Sequence, residues 1–64
     1  MDKEKKVEIH NVKEYAFEHD IVVYRKDDDG QNWFWGAFDD LLEAGQAAGE
    51  IQGYCAPICA VVAV

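Results

Sequence analysis

The 64-residue chain contains no serine and no threonine. Hydroxyl nucleophiles are therefore missing, as is any phosphate loop ending in Gly-Lys-Ser/Thr, and with them goes most small-enzyme chemistry. Positive charge is missing from a whole region. All six basic residues (Lys3, Lys5, Lys6, Lys13, Arg25, Lys26) lie in positions 1–26 beside six acids, whereas positions 27–64 hold seven acids and no base. The formal charge of −7 belongs to that second part. Such a field repels nucleic acid and anionic membranes and steers the protein toward basic surfaces. Long apolar runs are absent too: 58–64 falls far short of the roughly 18 residues a membrane span needs, and the charged opening MDKEKK is not a signal sequence. A cytoplasmic protein is expected, with Cys55 and Cys59 as thiols.

What remains is apolar and aromatic. Half the residues are hydrophobic, with two Trp, three Tyr and three Phe, a composition that specifies a globular chain. One domain spanning 1–64 is expected, burying only about 60% of its unfolded surface and thinly stable for that reason.

The organising stretch is 31–50, QNWFWGAFDDLLEAGQAAGE, an aromatic strand running into a helix of small residues. Upstream, Val7 and Ile9 alternate with Glu8 and His10 as in a short strand, and 14–26 reads as a second strand containing Phe17, Ile21, Val22, Val23 and Tyr24. Asp29-Gly30 predicts a two-residue hairpin loop. Tyr24 then faces Trp35, Val22 faces Ala37 and Lys26 faces Trp33. Trp33 and Trp35 share a face with Tyr24, and Phe34 and Phe38 share the other with Ile21; a three-residue loop would shift this register by one. Asp40 is the expected N-cap, accepting from the amide of Glu43, of a helix over 41–48 closed by a left-handed Gly49. Leu41, Ala44, Ala48 and Ile51 form its apolar stripe. Residues 54–64 read as one last strand whose ladder, because of Pro57, is confined to 58–64. The expected fold is α+β: a small antiparallel sheet of three to four strands with one helix on one face, in the order β-β-β-α-β.

No motif carries chemistry. Cys55 and Cys59, about 13 Å apart if extended, are too far apart for a disulfide and read as two buried apolar thiols. Asp27, Asp28, Asp29 and Gly30 fail the calcium-loop spacing, because Arg25 stands where its first acid should be. Asp39 and Asp40 suit capping better than acid–base work. No metal, cofactor or catalytic residue is expected, and no enzyme.

The expected function is that of a binding module. Asp27, Asp28 and Asp29 at one end of a strand, and Asp39, Asp40 and Glu43 at the other end about 25 Å away, would engage a basic protein surface together with Tyr24, Trp33 and Trp35. Short length, strong negative charge and lack of a catalytic motif give a general resemblance to small phage proteins of the DNA-mimic, anti-CRISPR or anti-restriction kind, a likeness of character and not of residues. That resemblance implies an inhibitor of a nucleic-acid-binding protein. One helix cannot cover both sides of a sheet, so the uncovered face would hold a partner or a second copy. Two alternatives are a precursor peptide with a folded leader 1–52 and a modified core 53–64, and a thiol or metal protein using Cys55 and Cys59.

Overall fold

In the computed structural model, residues 6–64 are described. Strands β1 (Val7–His10), β2 (Ile21–Lys26) and β3 (Asn32–Phe38) precede helix α1 (Leu41–Glu50), and strands β4 (Tyr54–Pro57) and β5 (Val61–Ala63) follow it. The α+β class holds, but the sheet has five strands in the order β4-β2-β3-β1-β5 and is mixed. β2 is antiparallel to β3 and β4, whereas β1 runs parallel to both β3 and β5. β1 lies beside β3 because the chain after β1 passes the β3 position before starting the β2–β3 hairpin, and β5 adds to the other side of β1.

That crossover occupies residues 11–20 and includes a 3-10 turn at Glu14–Glu18 where a strand was expected. The turn buries Ala16 and leaves Phe17 exposed. The expected single C-terminal strand is also divided. A 3-10 turn at Ile58–Ala60 separates β4 from β5, and Pro57, which has no amide to donate, sits on an edge strand. Residues 53–64 thus supply both outer strands of the sheet.

This connection dictates the shape of the sheet. Four residues from Pro57 to Val61 can span at most about 14 Å, while the outer strands of a flat five-stranded sheet lie about 19 Å apart. The sheet must curl so that its edges approach. Its concave side holds Ile9, Val22, Ala56 and Val61, closed over by Ala16 and Val12 from the crossover, with Tyr24, Phe34 and Ala37 packed against them. The crossover therefore supplies a cover for the face that α1 does not reach. On the convex side Ala44, Ala47 and Ala48 of α1 pack on Val23, Ile21 and Phe38. Small helix residues let the helix axis approach the strands closely, as their spacing implied. Among the described residues no helix is long and apolar enough to cross a membrane.

Helix α1 ends later than expected. Its C-cap is Ile51, and the left-handed residue is Gln52 (φ 56°), not Gly49. Gly53 donates to the carbonyl of Ala48 at 2.7 Å and Gln52 to that of Gly49 at 3.3 Å, which is the paired closure of a Schellman motif. Glycine is required at position 53 for a different reason: a Cβ there would lie 2.5 Å from the carbonyl oxygen of Tyr24. At the other end Asp40 is the N-cap as expected, but its Oδ1 accepts from Leu42 at 2.9 Å instead of Glu43. Leu41 does not join the buried stripe. It faces outward at 68% exposure.

Candidate functional site

The β2–β3 hairpin carries most of the residues singled out in the sequence. Its loop has three residues, not two: Asp27 donates to the carbonyl of Gln31 at 2.9 Å, Gly30 donates to that of Asp27 at 3.0 Å, and Gly30 takes φ 83°. The strand pairs near the tip are accordingly Lys26 with Asn32, Arg25 with Trp33 and Tyr24 with Phe34. Beyond them Val23 pairs with Gly36 and Val22 with Ala37, so Trp35 is the extra residue of a β-bulge. The expected Val22–Ala37 pair is present. The expected Tyr24–Trp35 and Lys26–Trp33 pairs are replaced.

The bulge redistributes the aromatics. Phe34 and Tyr24 turn into the concave core while Phe38 stays with Ile21 under the helix, so the two phenylalanines lie on opposite faces. Tyr24 also parts from the tryptophans and stacks on Tyr54, with ring centroids 5.6 Å apart. Burial, followed by the neighbouring Cys55 and Tyr54, pushes the Tyr24 phenol above its ordinary value. Trp33 and Trp35 remain outside at 42% and 47% exposure.

Both indoles are held in place. Trp33 Nε1 donates to Asp27 Oδ2 at 2.7 Å, and the ring stacks on His10 of β1 with centroids 4.9 Å apart. Trp35 lies nearly parallel to Phe38, with centroids 6.4 Å apart. Asp27 works inward: its Oδ1 accepts from the amides of Asp29 and Gln31, each at 2.9 Å. The Trp33 indole N–H, followed by the Gln31 amide, holds the Asp27 carboxyl below the usual aspartate range. Asp28 and Asp29 differ from it, because among the described residues their carboxylates take no hydrogen bond or ion pair. The same is true of the Arg25 guanidinium. Arg25, Lys26, Asp27, Asp28, Trp33, Phe34 and Trp35 line an open concavity of about 440 Å³.

At the far end of β3 the acids also divide. Asp39 Oδ2 lies 3.1 Å from His19 Nδ1 and its Oδ1 accepts from the Asp20 amide at 3.0 Å, which ties the crossover to the sheet. Asp40 caps α1, and Glu43 projects from the first turn into solvent. The structure thus brings Asp27, Asp28, Trp33 and Trp35 into one surface, and leaves Tyr24 and the Asp39, Asp40 and Glu43 group outside it. Arg25 and His10 belong to this surface and were not singled out from the sequence. Arg25 was legible, being the cross-strand neighbour of Trp33 once the loop is counted as three residues. His10 was not, since it reaches Trp33 only through the parallel β1–β3 pairing.

Cys55 and Cys59 are exposed free thiols, not buried ones. Cys55 points away from the core because its neighbour Ala56 points in. Among the described residues no group of three or more His, Cys, Asp and Glu side chains is placed to hold a metal ion.

Comparison with protein-family models, with curated proteins and with solved structures finds no match to this chain. The geometry alone carries the functional reading.

Proposed function

We propose that this protein is a non-catalytic acidic binding module that occupies a basic surface of a protein partner, as an inhibitor or nucleic-acid mimic does. The observation that carries this reading is the clamped Trp33: a half-exposed indole fixed by an Asp27 hydrogen bond and a His10 stack. Interface energy concentrates in tryptophan, tyrosine and arginine, and a side chain already immobilised loses little conformational entropy on binding. Trp33 and Trp35 meet both conditions, and Arg25, unpaired among the described residues, meets the first. Asp28 and Asp29 beside them supply uncommitted negative charge, which accelerates encounter with a basic partner and suits the cleft of a nucleic-acid-binding protein.

The test is affinity capture from the native host followed by kinetics on the captured partner. Trp33→Ala is expected to raise the dissociation rate at least tenfold, the cost of one interface hot spot. Asp28→Asn with Asp29→Asn is expected to slow association, and the parent rate should fall steeply between low and physiological salt. Nucleic acid should compete for the same partner surface. A captured partner that binds both variants like the parent, without salt dependence, refutes the reading.

A further inference from the structure

Among the described residues nothing packs on the outer face of α1. With 3.6 residues per turn, Leu42, Gly45, Gln46 and Gly49 lie opposite the buried Ala44, Ala47 and Ala48, and Leu41 borders them. Leu41 and Leu42 are 68% and 70% exposed, more than any other large hydrophobic residue among the described ones. Together with Gly45 and Gln46 they line a shallow, mainly apolar groove of about 440 Å³. Leucines at the first turn of a capped helix gain nothing for folding by standing in water.

The glycines add an independent observation. Glycine within a helix is less stable than alanine, and a chain keeps it where a close approach or an unusual φ demands it. Gly53 has such a reason in the Tyr24 carbonyl, and Gly30 in its φ of 83°. A Cβ at Gly45 or Gly49 would meet nothing within 4 Å. Neither glycine has positive φ. Contacts among the described residues give no account of them, whereas a second element lying across the leucines and touching the helix backbone would.

The flank of the groove names the class of that element. Glu43 and Glu50, seven positions apart, stand along one side, and Asp40 stands at its start. A second copy of α1 would bring these acids face to face with their own equivalents. We infer that the outer face of α1 is a docking surface for a basic amphipathic helix of a partner protein, whose apolar stripe enters the Leu41–Leu42–Gly45–Gly49 groove while its lysines or arginines meet Glu43 and Glu50. This surface is separate from the Trp33 concavity and stands without it.

The experiment titrates the full chain, labelled for NMR, with a Leu/Lys peptide of about 18 residues whose leucines recur at i, i+3, i+4 and i+7, and with a scrambled peptide of identical composition. Amide shifts are expected to centre on Leu41, Leu42, Gly45, Gln46 and Gly49, with the scrambled peptide binding more weakly. The second arm is the Gly45→Ala/Gly49→Ala protein, which keeps every charge. Its melting temperature is expected to rise by about 4 °C or more, since alanine suits the helix better. Its affinity for the amphipathic peptide is expected to fall about tenfold, because two added methyl groups block the approach. The inference is overturned if shifts centre on the hairpin instead, if both peptides bind equally, if the alanine variant binds as tightly as the parent, or if sedimentation shows the chain self-associating through this face. None of these outcomes bears on the effect of Trp33→Ala, so the two surfaces fail independently.

Discussion

The acids at the two ends of β3 are the same kind of residue in similarly exposed positions, yet they are spent differently. At the hairpin tip one acid of three is structural: Asp27 accepts three hydrogen bonds, and among the described residues Asp28 and Asp29 accept none. At the helix start both aspartates are structural, Asp39 holding His19 and Asp20 and Asp40 capping α1. An acidic cluster counted from sequence overstates the charge free for a partner. A carboxylate that already accepts backbone amides has a fixed direction and a task in folding, and its removal changes more than the field.

The largest effect tests the frame on which both groups hang. Deleting residues 60–64 removes β5 and the buried Val61, worth about 1.5 kcal/mol or more when fully enclosed, and uncovers Ile9. A domain of this size has little stability to spare, so circular dichroism should show loss of the cooperative melt. Retention of a melt near that of the full chain would detach the C-terminal segment from the fold and favour the precursor reading.

Next comes the helix start. Asp40→Ala removes the side-chain N-cap of α1 and should cost about 1 kcal/mol, a fall of about 4–8 °C in melting temperature. A fall no larger than that of Glu43→Ala would dissolve the distinction between a capping acid and a merely acidic one.

A smaller effect is expected at the tip. Asp27→Asn keeps an acceptor for the amides but places an N–H₂ or a weaker oxygen before Trp33, so it should lower the melting temperature and free the indole, seen as a change in tryptophan fluorescence. Because the folded state lowers the Asp27 pKa, its contribution is complete above the ordinary aspartate value of 3.8 and drains away as the pH falls through the lower folded value. The parent should lose this part of its stability on acidification and the variant should have none to lose. Parallel pH–stability curves for the two proteins would contradict the hydrogen-bond assignment.

The smallest effect on folding belongs to Asp28→Asn with Asp29→Asn, whose melting temperature should match that of the parent while association with the partner slows. If Asp27, Asp28 and Asp29 formed only a solvated hairpin tip, as the sequence suggests, replacing all three by asparagine would leave the melting temperature nearly unchanged. The structure corrects that expectation at Asp27. A melting shift in the double variant as large as in Asp27→Asn would erase the contrast between the two kinds of acid.

Local regularities made a good part of this molecule legible. Alternation marked β1, a run of apolar and β-branched residues marked β2 although its start was read too early, the Asp40 cap marked where α1 begins, and the alanines of α1 identified its packing face, because each of these depends on residues within a few positions of one another. The hairpin was readable but its register was not: Asp29-Gly30 fits a two-residue loop and a three-residue one, and only the bulge at Trp35, which restores the Val22–Ala37 pairing, shows how the chain reconciled them.

What the sequence by itself determined is the class of the fold, the start of the helix and the location of the charge, all of them properties of neighbours in the chain. Tertiary structure alone decided the rest. The parallel placement of β1 between β3 and β5, the splitting of 54–64 across both edges of the curled sheet, and the meeting of His10, Asp27 and Trp33 are contacts between distant segments. Such contacts are chosen by which arrangement buries Ile9, Val22 and Val61 together, and no window of sequence contains that choice.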